Sequence, residues 1–305
     1  MSRYLVIIIA LWFVGCTKSV ELGPAPVEST YLEDLEAFYA NRHQSLTNEV
    51  GWMRLAGMYW LENGPNSFGS SQNNKVVFPE GYIPDYVGSF IVSDTSVVMS
   101  VLADVEITVS DSVVNEVEML AIDGDDPVRA RYNTLEWLVI KRGDLVGVRL
   151  YNSYNPKVDE FSGFPRYETN TDFYVLAELI TEDVPKTVKI ANILGQEEDL
   201  VSPGVLRFQI NGNEYSLITI VGGERMFIIV GDETNQDETY QAGRYIYVDM
   251  PEAGSNLTKI DFNKMYNPPC AFSPYTTCQL PPVQNRLDLR IEAGEKRPTQ
   301  SYILD

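Results

Sequence analysis

Val205-Leu206-Arg207-Phe208-Gln209-Ile210-Asn211-Gly212-Asn213-Glu214-Tyr215-Ser216-Leu217-Ile218-Thr219-Ile220-Val221 is the stretch on which the fold turns. Asn211-Gly212 favours a two-residue type I′ turn, whose twist matches that of the strands it joins. The flanking runs, Val205 to Ile210 and Glu214 to Val221, are rich in β-branched and aromatic residues. The stretch therefore predicts an antiparallel hairpin.

The same reading extends outward. Arg225 to Val230 is a continuous apolar run suited to a central strand covered on both faces. Toward the N-terminus, period-2 runs occur at Lys75 to Phe78, Ser89 to Val92, Ser96 to Leu102, Val105 to Val109, Leu135 to Ile140 and Leu145 to Tyr151. Lys141-Arg142-Gly143-Asp144 has the form of a second hairpin turn. Helical signals are confined to the start of the body. Thr30 and Glu33 fit a capping box, and Leu32, Leu35, Phe38 and Tyr39 recur at helical spacing to about His43. Trp52 to Gly69 reads as a second short helix or turn that packs its aromatics on a sheet. The expected fold is mainly β: an antiparallel sandwich or barrel-like arrangement of sheets, with N-terminal helices packed on them and a long Pro-rich C-terminal loop. No repeat at a fixed period suggests a propeller or solenoid.

Residues 1–15 read as a signal peptide, with Arg3 as a small basic region and Leu5 to Val14 as an apolar run too short to remain as a membrane span. Phe13-Val14-Gly15-Cys16 resembles the bacterial lipobox, with Phe13 where Leu is usual. That resemblance implies acyl chains on Cys16, a membrane partner through this anchor, and a place in the bacterial cell envelope. Residues 16–29, with Gly23, Pro24 and Pro26, are expected to form a flexible tether, and residues 30–305 the β-rich body. A formal net charge of −20 argues against nucleic acid as a partner, since phosphates would be repelled.

The most unusual composition lies at Asp261 to Lys296, where five prolines at 268, 269, 274, 281 and 282 forbid a regular ladder. Such loops are often functional. Cys270 and Cys278, the two thiols left once Cys16 is assigned to lipid, are disulfide candidates. The motifs Asp261-Phe-Asn-x-x-Tyr-Asn-Pro-Pro-Cys-Ala-Phe272, Thr277-Cys-x-Leu-Pro-Pro282, Asn285-Arg-Leu287 and Ala293-Gly-Glu-Lys296 resemble the exported family catalogued as domain of unknown function 1684. Asp232-x-Thr234, Thr239-Tyr-x-x-Gly-Arg244 and Gly51-Trp-x-x-Leu55 fit the same pattern. The resemblance implies a family but no activity.

Physically, these motifs supply cations (Arg244, Arg286, Lys296), carboxylates (Asp261, Glu295), amides (Asn263, Asn267, Asn285) and the phenol Tyr266. If they converge, they form a polar pocket for a small polar or anionic ligand. If they do not, they form a hydrogen-bond network that pins an irregular loop. Two alternatives stand beside the ligand-binding lipoprotein. One is a hydrolase with Asp261 as general base and Arg244 or Arg286 stabilising negative charge; the other is a purely structural lipoprotein. His43 is the sole histidine and no Gly-x-Ser-x-Gly elbow occurs, so His-dependent triads lack support. No cofactor and no metal site is expected. Asp123 to Asp126 and Asp232 to Glu238 depart from EF-hand spacing and read as solvated turns.

Overall fold

The computed structural model describes residues 22–94, 96–121, 127–182 and 186–302. Cys16, the apolar run before it and the Asp123 to Asp126 turn lie outside the described residues.

Two β-sandwich cores follow one another along the chain. In the first, a five-stranded sheet and a six-stranded sheet face each other. Phe68, Phe90 and Met99 from one meet Trp137, Val139 and Val148 from the other, all fully buried. The hairpin expected around Gly143 forms between Leu135–Arg142 and Leu145–Asn152 at the centre of the six-stranded sheet. The second core lies between a four-stranded sheet and a three-stranded sheet, with Val175 and Phe208 opposite Ile228 and Val248. The Asn211-Gly212 turn joins Val205–Ile210 to Asn213–Ile218, and both turn residues have positive φ, as type I′ geometry requires. Arg225–Val230 is the middle strand of its sheet. Met226, Ile228 and Val230 face the second core, while Ile229 faces a smaller cluster with Ile190, Tyr245 and Cys278. No closed barrel forms among the described residues.

Three expectations change. The Thr30 hydroxyl donates to Asp34 at 3.1 Å rather than capping backbone N–H groups, and the helix, α1 (Tyr31–Thr47), runs past His43 because Leu46 packs with Met53, Phe161 and Phe272. The second helix is a single turn, Trp52–Arg54, followed by the strands Leu55–Trp60 and Gly64–Gly69. Its aromatic spacing is explained by pairing, since Leu55–Trp60 lies antiparallel to Leu145–Asn152. Finally, the part of the expected tether from Leu22 to Ala25 lies in the sheet. Leu176 N–H donates to Gly23 O, Ala25 N–H to Tyr174 O, and Gln209 N–H to Leu22 O. This short segment fills the gap where Tyr174–Ile180 and Val205–Ile210 diverge, and Leu22 and Ala25 are buried there.

Candidate functional site

The Pro-rich segment after Leu257–Asp261 forms a strap of three short 3-10 turns and isolated bridges that closes one end of the second core. Its polar side chains satisfy backbone groups that have no ladder partner. Arg244, fully buried, donates to the carbonyls of Ile291, Ala293 and Glu295 and pairs with the Asp232 carboxylate. Asn285 acts as a bidentate amide: it accepts from Ile218 N–H at 2.7 Å and donates to Ile218 O and Ile229 O, tying two sheets together. Asn263 spans the Asn170 backbone, accepting from its N–H and donating to its carbonyl, and donates to the Tyr31 hydroxyl. That hydroxyl in turn donates to Asp261 at 2.9 Å. Asn267 donates from its side chain to Lys296 O. Asp232, in the second acidic run, caps the turn Glu233–Gln236 in a capping box with Asn235.

The expected convergence therefore fails. Arg244 is sealed inside the strap, and Arg286 is exposed on a separate shallow cavity beside Gly231 and Asp288. Lys296 lies over the Tyr167 ring and pairs with Glu238. Asp261 faces a cavity that contains neither arginine. The backbone's need for partners explains much of the dispersal: Arg244, Asn263, Asn267 and Asn285 are each drawn to different orphaned carbonyls or N–H groups. No base and electrophile meet, so the hydrolase arrangement of Asp261 with Arg244 or Arg286 is absent. His43 accepts no such role either, because its Nε2 lies 2.7 Å from Phe161 O and its ring stacks on Phe161. Cys270 and Cys278 are joined as a disulfide, with Cα atoms 6.0 Å apart.

Of the expected residues, Tyr266 and Asn267 line an open cleft; among their neighbours there Trp52, Pro269 and Phe272 lie in the quoted motifs, whereas Arg42, Phe227, Tyr245 and Tyr247 had no motif to mark them. The cleft has two adjoining lobes of about 670 and 520 Å3, which share Trp52, Tyr245, Pro269 and Gln279. One wall of the larger lobe is an aromatic array. Phe227 sits edge-on to Tyr245 at 4.9 Å, Tyr245 edge-on to Tyr266 at 6.0 Å, and Tyr247 stacks toward Tyr266 at 6.5 Å. Arg42 from α1 lies 4.4 Å over the Tyr266 ring, donating to both Glu295 oxygens and to Asn267 O. Burial raises the phenol pKa values of Tyr245 and Tyr266, so both stay neutral hydroxyls. Tyr247 and Trp52 remain 38% and 37% exposed, so part of each ring lies open to solvent. The smaller lobe runs toward Arg149 and the hairpin turn at Lys141 and Arg142.

A family model described as Protein of unknown function (DUF1684) matches residues 159–296. The matched segment contains the second core, most of the strap and the aromatic wall, whereas Arg42, Trp52 and Arg149 on the cleft's other sides precede it. The chain is also similar to the solution NMR structure of an uncharacterized protein from Haloarcula marismortui. The two are 24% identical over 45% of this chain and 78% of the other, with a TM-score of 0.38. No curated protein matches the chain.

Proposed function

We propose that this protein is an exported, lipid-anchored binding protein that holds a small, ring-bearing polar ligand in the cleft between its two sandwiches. The apolar run Leu5 to Val14 and Cys16 support export and anchoring. The observation that carries the binding reading is the aromatic array of Phe227, Tyr245, Tyr247 and Tyr266, together with Trp52. Ring faces left open in a concave site favour a flat or ring-shaped partner, and the few polar groups around them orient it. The buried strap network gives that wall a fixed shape, which reduces the entropy lost on binding. Among the described residues that line the cleft no nucleophile–base pair is hydrogen-bonded, which favours binding over turnover.

A thermal-shift panel of sugars, polyols, nucleosides and small organic acids tests the reading. At least one compound should raise the melting temperature of the wild-type chain saturably, and Tyr247→Ala should lose about tenfold or more in affinity for it while melting close to wild type. A panel that leaves wild-type melting unmoved defeats the proposal.

A further inference from the structure

An ionised side chain withdrawn from water is stable only when opposite charge or good acceptors meet it. Three of the arginines most withdrawn from solvent obey this rule. Arg244 has Asp232 and three carbonyls, Arg42 has both oxygens of Glu295, and Arg54 has Asp159 with the carbonyls of Thr47 and Asn155. Arg149 does not. It is 7% exposed, and among the described residues no carboxylate or backbone carbonyl pairs with it; its Nε has no acceptor. Its company is the Trp52 ring, 4.9 Å from the guanidinium carbon, and the phenol of Tyr151.

The position follows from strand alternation. Along Leu145–Asn152, Val148 and Leu150 point into the first core, so Arg149 and Tyr151 fall on the opposite face, toward the cleft. There Arg149 lines the smaller lobe with Trp52, Lys141, Arg142, Thr276 and Gln279. Among the described residues the acids on this lobe are Glu197 and Glu198; both are exposed, and Glu197 is within 3.7 Å of Lys189. A chain of formal charge −20 thus places three cations around one cavity and leaves the most buried of them uncompensated.

From this we infer that the smaller lobe is an oxyanion subsite: Arg149 takes a carboxylate or phosphate group of the ligand, with Lys141 and Arg142 at the rim. A planar guanidinium matches either group in bidentate fashion, and Thr276 and Gln279 offer neutral polar groups beside it. The inference rests on the cleft being the ligand site and names the charge of what enters it.

Inorganic phosphate and succinate, titrated into the full chain at constant ionic strength against a chloride control, separate the two oxyanions. Wild type should show a saturable rise in melting temperature with at least one of them, accompanied by a change in tryptophan emission. Arg149→Gln should weaken that response about tenfold or more. In anion-free buffer the same variant should melt at or above wild type, because it removes a buried charge that no carboxylate balances. The double variant Lys141→Ala/Arg142→Ala, on the exposed rim, should weaken the response several-fold with unchanged melting. The inference is overturned if neither anion saturates below roughly 10 mM on wild type. An Arg149→Gln variant that binds like wild type overturns it too, as does one that melts far below wild type while the rim variant binds normally. If neutral compounds of the panel shift the melt and no anion does, the cleft stands and the oxyanion subsite falls; if nothing shifts it, both fall.

Discussion

Arg244 and Arg149 are both buried arginines, and their surroundings assign them opposite energetic roles. The Arg244–Asp232 pair has no exposed side-chain surface to speak of, and the guanidinium also serves three strap carbonyls. Removing it leaves Asp232 charged without its partner in the interior. Arg244→Ala should therefore destabilise by about 3–5 kcal/mol, measured by urea denaturation. Losses below about 1 kcal/mol would mean that water replaces the guanidinium at little cost. The glycines of the quoted motifs have an equally local reason. Gly243 has φ +95°, and a Cβ there would stand 2.5 Å from Pro281 Cγ; Gly294, at φ +77°, would place one 2.5 Å from Met265 O.

Among elements, the strap depends most on side chains, because its prolines leave few ladder bonds. The Cys270–Cys278 bridge closes a short loop at the edge of the aromatic wall, where Cys270 O accepts from the Tyr240 hydroxyl. Replacing both cysteines by serine should cost about 2–3 kcal/mol of stability by the loop-entropy relation, read as a fall in melting temperature relative to the oxidised wild type. A variant that melts with wild type would show that the 3-10 turns hold the strap without it. This element was legible as an irregular, functional-looking segment, since composition alone forbids a sheet there. Its role was not legible, because Asn285 or Arg244 has the same sequence signature whether it meets a ligand or an orphaned carbonyl. Strand assignment shows a parallel split. Period-2 runs such as Leu145–Asn152 announced themselves, whereas Glu197–Ser202 begins Glu-Glu-Asp and pairs as an exposed two-stranded ribbon with Lys186–Ala191. Acids depleted in strands elsewhere are tolerated on that solvated surface.

At the scale of the whole molecule, the cleft draws on residues 42, 52, 149, 245 and 279, which only the packing of the two sandwiches brings together. No spacing rule could collect them. Buried and half-buried tyrosines are spread through the molecule. Burial raises the pKa of Tyr59 to about 12 and lifts those of Tyr31, Tyr39, Tyr245 and Tyr266 further. A raised native value means that the unfolded chain gives up its phenolic protons first. The associated stability is complete below the ordinary phenol value of 10.0 and drains away as pH climbs from there toward the native values. Melting temperature should accordingly hold to about pH 10 and then fall, with phenolate absorbance appearing only as the chain unfolds. Phenolate signal from these rings in the folded protein near pH 10 would contradict it.

The segment Leu22 to Ala25 enters between two strands that lie on either side of it, with its backbone bonded to both. Tension on the N-terminus would thus arrive in shear, loading the contacts with Tyr174, Leu176 and Gln209 together instead of unzipping them one by one. This segment is mechanically the inside of a sheet, so a pull on it would be carried straight to the second sandwich and bypass the cleft.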